Sequence, residues 1–125
     1  MKYILLALLI AVATCDFPIP TLPLGYIYKP APSMVIRLDV YEDLLCSDCK
    51  AFEPAFRKYL DEATIGGKHV TDFIEVAYHI FPLPYHHHAF IVSQLVPFIE
   101  DLHHNNTEVF AYMDWVYANQ ARYLS

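Results

Sequence analysis

Cys46 and Cys49 sit three residues apart in the stretch LDVYEDLLCSDCKAFEPAFRKYL, residues 38–60. A C-x-x-C pair can exchange electrons as a dithiol, lend thiolates to a metal ion, or brace a fold as a disulfide. The neighbours bear on the choice. Cys46 follows an apolar, β-branched run, and Cys49 opens a helical pattern. The start of a helix presents unpaired N–H groups and partial positive charge, which stabilise a thiolate. The Cys46 pKa is therefore expected below the free value of about 8.5. Cys46 would attack, and Cys49, one turn further on, would resolve the mixed disulfide.

Three acids oppose this. Glu42 and Asp43 precede the motif and Asp48 lies inside it. Negative charge beside a thiolate disfavours it. The expectation is a pair less oxidising than one with a basic residue between its cysteines. Asp39 lies in the apolar run itself and admits two readings. A buried acid near a dithiol has a raised pKa and can carry protons during exchange. The other reading is an edge position or a structural hydrogen bond.

Imidazoles extend the set of candidates. His86, His87 and His88 follow FPLPY, His79 lies upstream, and His103 and His104 lie downstream. Two cysteines and two histidines suffice for zinc, but these spacings match no finger pattern, and no metal site is assigned. The triplet reads as a polar loop entering a helix. His86 is its candidate for approaching the dithiol and favouring the thiolate as His⁺. Asn105-Asn106-Thr107 is a glycosylation sequon, with Asn105 as acceptor if the chain enters a eukaryotic secretory pathway.

The elements that must position these residues follow from periodicity. Met34–Tyr41 and Phe73–Phe81 are nearly continuous apolar runs and read as strands buried on both faces of a parallel sheet. Between them Phe52, Phe56, Tyr59, Leu60 and Ala63 form one helical stripe, ended by Gly66-Gly67. Pro54 inside that helix predicts a bend that keeps the helix start under the cysteines, at a cost of about 3 kcal/mol. The result is a βαβ unit. Ile91, Val92, Leu95, Ile99 and Leu102 predict a further helix kinked at Pro97. Asn105-Asn106 breaks the pattern and caps a last helix lined by Val109, Phe110, Met113, Val116, Tyr117 and Ala121. Short connections make these two an antiparallel hairpin.

Composition bounds the rest. The 125 residues suit one domain, and ten Tyr and eight Phe supply a core. A net charge of −6 without a basic patch argues against nucleic acid. Residues 1–15, MKYILLALLIAVATC, have the layout of a secretory signal peptide. Their apolar run falls well short of the roughly 20 residues that span a bilayer, so no membrane span is expected in the mature chain. Cleavage after Ala13 keeps Cys15, and cleavage after Cys15 removes it. Acylation of Cys15 is a third reading, poorly served by Thr14. A secreted or lumenal chain meets an oxidising compartment where a Cys pair persists as a disulfide. Residues 16–33 carry Pro18, Pro20, Pro23, Pro30 and Pro32 and read as an extended arm leading into a domain over 34–125.

From Met34 to about Ala89 the chain resembles the thioredoxin fold, in particular its DsbA-like branch. The strand MVIRLDVY, the motif C-S-D-C, the helix CKAFEPAF with its proline and the strand leading into FPLPYHHHAF carry the resemblance. It implies an α/β, thioredoxin-like domain with a helical insertion over His88–Ser125. It also implies thiol–disulfide exchange on protein substrates, Cys46 nucleophilic and Cys49 resolving, with no cofactor beyond the cysteines. Two features depart from that pattern. Ser47 stands where related motifs commonly hold proline. No segment corresponds to the later β-hairpin with its cis-proline, so the sequence reads as the first part of the fold, with sheet edges and apolar surface left uncovered. The rival readings are a non-catalytic binding module that uses that surface, and a Cys/His metal-binding protein.

Overall fold

The computed structural model describes residues 24–33 and 36–124. The proposed signal peptide, Cys15, the first part of the Pro-rich arm and Met34 lie outside the described residues. The chain is a mixed α/β fold. In order it forms β1 (Tyr26–Ile27), β2 (Ile36–Glu42), α1 (Ser47–Glu62), β3 (Thr64–Ile65), β4 (Lys68–His69), a 3-10 turn over Val70–Asp72, and β5 (Ile74–Ile80). Then come α2 (Ala89–Ser93), α3 (Leu95–His103), α4 (Asn106–Ala118) and a 3-10 turn over Gln120–Arg122. None of the described helices is long and apolar enough to cross a membrane.

The main sheet has the order β1-β5-β2. β2 and β5 are parallel, paired from Ile36 with Ile74 to Glu42 with Ile80, and α1 connects them. This is the expected βαβ arrangement. Part of the Pro-rich arm also joins the sheet, because Tyr26 and Ile27 pair antiparallel with Tyr78 and Ala77. Gly25 enters this strand at φ +106°, and a Cβ there would stand 2.9 Å from the His79 ring, so a side chain is excluded on both counts.

β2 is not buried on both faces as the sequence predicted. Its side chains alternate. Ile36, Leu38, Val40 and Glu42 share one face with Val76 and Tyr78, whose side chains belong to the core. Arg37, Asp39 and Tyr41 share the other with Glu75 and His79. That second face is a polar network: Arg37 donates to Asp39 and to Glu75, at 3.1 Å each. The His79 Nε2 lies 2.7 Å from the Asp39 carboxylate, and Tyr41 stacks on the His79 ring at 4.7 Å. The polar positions 37, 39, 75 and 79 were the signal of a one-sided strand.

The core lies on the first face. Leu44, Leu45, Leu60, Val76, Tyr78, Val96, Val109, Met113 and Val116 are almost fully buried there. The helix α1 stripe divides: Leu60 is buried and Phe56 and Ala63 pack at the margin, but Phe52 and Tyr59 are exposed. The covered side of α1 runs through Cys49, Glu53, Phe56 and Leu60, at helical spacing, which leaves Phe52 and Tyr59 on its flank. It ends at Ala63, not at glycine, and the Ala63 N–H reaches the Tyr59 carbonyl at 2.9 Å. Gly66 and Gly67, at φ +60° and +79°, form the two-residue turn of the β3–β4 hairpin, where positive φ is required at both positions.

The helix predicted around Ile91–Leu102 is two helices, broken at Gln94. Pro97 cannot donate to the Ser93 carbonyl and its ring crowds that group, which places the break one turn upstream. Val92 and Val96 face the core, whereas Ile91, Leu95 and Leu102 stay exposed. α3 ends at His104 in the left-handed conformation, φ 51°. Asn105 then caps α4, its side chain accepting from the Thr107 N–H at 2.6 Å. Val109, Phe110, Met113, Val116 and Tyr117 are buried as the pattern required; Ala121 lies beyond the helix and is exposed.

Candidate functional site

β2 ends at Glu42, and residues 43–46 turn the chain into α1. The turn closes with a 3.0 Å bond from the Cys46 N–H to the Asp43 carbonyl. Asp43 is 2% exposed, and its carboxylate accepts from the Leu45 N–H, the Leu83 N–H and the His86 Nδ1, each at 2.7 Å. One buried acid thus ties the cysteine turn to the loop after β5. From the far end of the chain, the Gln120 amide donates at 3.0 Å to both the Leu44 and the Cys46 carbonyls. Buried backbone oxygens in a turn need such donors, because an unmet one costs about 1–3 kcal/mol.

Cys46 occupies the N-cap of α1, in extended conformation, and its carbonyl also receives the Lys50 N–H at 3.1 Å. Cys46 and Cys49 lie 3.7 Å apart, both free and both partly exposed. Burial pushes the Cys49 thiol up to about 12, with the neighbouring Cys46 and the Glu42 charge adding to the rise, against a hydrogen bond from the Asp43 backbone. Of the three acids near the motif, Glu42 is the one whose charge raises Cys49. Asp43 is turned to its own three donors, and Asp48 is exposed in the first turn of α1.

Glu42 is 2% exposed. Burial, then the nearby Glu53, drives its carboxyl up to about 8, while a hydrogen bond from Tyr117 pulls the other way. The Tyr117 hydroxyl donates to Glu42 Oε2 at 2.7 Å, and burial raises the Tyr117 pKa as well. Glu53, one helical turn from Cys49, pairs with Arg57. The Arg57 guanidinium lies over the rings of Phe110, Tyr28 and Tyr78 at 5.1, 5.6 and 5.9 Å. A cavity of about 410 Å³ lined by Lys50, Glu53, Pro54, Arg57, Asp114 and Tyr117 opens beside this cluster.

The predicted site residues separate accordingly. Asp39 lies on the opposite face of β2 from Glu42 and is not the buried acid. The His79 hydrogen bond, then Arg37, hold its carboxyl below the ordinary value, the reverse of what a buried proton carrier needs. It takes the structural hydrogen bond that was its alternative reading. His86 meets the cysteine turn through Asp43. Pro54 is exposed on the cavity wall, and α1 runs through it without a break. Asn105 is exposed at the α4 cap. Among the described residues no group of three or more His, Cys, Asp or Glu side chains gathers as metal ligands, which leaves the Cys/His metal reading without a site there. Glu53 was within reach of sequence reasoning, since it lies four residues after Cys49 on one helix face. Tyr117 and Gln120 were not, because only the packing of the last helix brings them to the turn.

Comparison with protein-family models, curated proteins and solved structures returns no match for this chain.

Proposed function

We propose that this chain is a thiol–disulfide oxidoreductase-like domain of thioredoxin-like, DsbA-like type, secreted or lumenal, acting on protein cysteines through Cys46 and Cys49. The observation that carries the reading is the 3.7 Å approach of two free, partly exposed cysteines at the start of a helix that leaves a parallel strand. The β2–α1–β5 connection, with the cysteines between the first strand and the helix, supports the fold assignment.

In the reducing direction, the Cys46 thiolate attacks one sulfur of a substrate disulfide. A Cys46–substrate disulfide forms and the other substrate sulfur leaves as a thiolate. Cys49 then loses its proton and attacks the Cys46 sulfur, releasing the second substrate thiolate. Two electrons pass to the substrate, and an external thiol restores the dithiol. The second step needs a base, because the Cys49 thiol is held at about 12. Glu42 is the buried carboxyl whose charge bears on Cys49, and with its pKa raised to about 8 it is the candidate to take up that proton once it is ionised.

Insulin reduction by the purified chain with excess dithiothreitol tests the reading. Turnover should vanish in Cys46→Ser, and Cys49→Ser should accumulate a mixed disulfide at Cys46. Turnover that survives Cys46→Ser would overturn it. The exposed apolar side chains on edge strand β2 favour a second reading, a binding module without catalysis, for which partner binding would persist with no turnover in the unmodified chain.

A further inference from the structure

We propose that β2 is a self-association edge: two copies of this chain pair their β2 strands antiparallel about a twofold axis at Leu38. Among the described residues β2 lies at the border of the sheet, with β5 on one side and no strand on the other. Its hydrogen-bonding parity is defined by two bonds. The Ile36 N–H donates to Phe73 and the Glu42 carbonyl accepts from Phe81, so residues 36, 38, 40 and 42 spend their backbone groups on β5. The N–H and C=O of Arg37, Asp39 and Tyr41 therefore point to the open edge. No Pro, Gly or Lys interrupts the seven residues of β2, and Ile36 and Leu38 are 55% and 41% exposed beside it. Edges that stay unpaired are commonly blunted by Pro or by charged side chains; β2 has no Pro, and the charges on its polar face, Arg37 and Asp39, are of opposite sign.

Charge decides the occupant and the register. Antiparallel pairing about Leu38 sets Arg37 opposite the second copy's Asp39, and Asp39 opposite its Arg37. Both are residues whose backbone groups face outward, so they form the hydrogen-bonded pairs of the ladder. Leu38 then faces its own copy, and Ile36 faces Val40, on the apolar side. Pairing about Asp39 would oppose two like charges, which destabilises a sheet. Pairing about Val40 would set Arg37 opposite Asp43, which lies past the end of β2 and is buried on its own three donors. The sequence Ile36-Arg37-Leu38-Asp39-Val40 is thus complementary to itself reversed, the property that a twofold interface requires.

Sedimentation of the full chain tests this. The wild type should dimerise, more weakly at high salt. Arg37→Asp and Asp39→Arg should each weaken self-association by about 10-fold or more, since each sets like charges opposite one another. An equimolar mixture of the two variants should recover the dimer, because each variant supplies the charge the other lacks. Circular dichroism matching wild type establishes that each variant folds. A wild type that stays monomeric at high concentration, or single variants that dimerise like wild type, would overturn the proposal. Leu38→Cys, with Cys15, Cys46 and Cys49 replaced by Ser, gives an arm that keeps Arg37 and Asp39. A non-hydrogen-bonded pair places the two Cα atoms about 4.5 Å apart, within disulfide reach, so oxidation should yield a covalent dimer. Failure to crosslink would equally defeat it.

Discussion

The hydroxyl of Tyr117 donates a 2.7 Å hydrogen bond to the carboxylate of Glu42, joining the last helix to the end of the strand that delivers the cysteines. The two residues are 75 positions apart in the chain. Glu42 thereby has one partner for Oε2, while Oε1 has no hydrogen-bond partner among the described residues. An acid so placed is uncomfortable when charged, and its behaviour with pH is the first expectation to check.

Glu42 rises from an ordinary value of 4.5 to about 8 in the folded chain. Between those values the native state keeps a proton that the unfolded chain has released. The Glu42 contribution to stability is therefore fullest below pH 4.5 and is lost as pH rises through 8. Glu42→Gln keeps the shape without the titration. The stability of wild type relative to Glu42→Gln should fall by a few kcal/mol between pH 5 and pH 8.5, read from urea unfolding. Parallel pH profiles for the two proteins would show that Glu42 is not the buried titrating acid. If Glu42 also serves as the base for Cys49, the same variant should slow release of the mixed disulfide on the order of 10²-fold at pH 8.5, where Glu42 is ionised.

Cys49 should lag Cys46 toward alkylating reagents. Its thiol is pushed up to about 12, chiefly by burial, so almost none of it is thiolate at pH 8. Iodoacetamide applied to the reduced chain, followed by peptide mass spectrometry, should label Cys46 first. Equal labelling of the two positions at early times contradicts the difference in environment.

Asp43 holds the cysteine turn against the loop after β5. Asp43→Ala strands the Leu45 and Leu83 N–H groups and should cost about 2–4 kcal/mol of unfolding free energy. His86→Ala removes one of the three bonds and leaves the backbone pair intact, so about 1–2 kcal/mol is expected. An Asp43→Ala chain as stable as wild type would mean that the turn does not depend on this carboxylate.

Gln120 supplies both donors that reach the turn from the chain's last segment. Gln120→Leu retains the bulk of a buried side chain and leaves the Leu44 and Cys46 carbonyls without that partner. It should destabilise by about 1–3 kcal/mol and speed backbone hydrogen exchange across residues 43–50. Unchanged exchange there would show that the turn is held without Gln120.

Much of this architecture was legible in the residues. Two apolar runs around a helical stripe specify parallel strands joined by α1, because period and length leave few other arrangements. The cap at Asn105 and the buried face Val109, Phe110, Met113, Val116 and Tyr117 follow from side-chain chemistry and a 3.6-residue repeat. Cys46 and Cys49 fall at a helix start for the same local reason. What lay beyond the sequence was the identity of the covered face. A strand's side chains alternate, so Asp39 and Glu42 must lie on opposite faces, but which face meets the helices depends on layers formed by residues far away in the chain. Packing against Tyr117 and Glu53 made Glu42 the buried acid, while Arg37 and His79 kept Asp39 at the surface. Local periodicity specifies elements; only their assembly decides which polar groups lose their water, and so which ones can do chemistry.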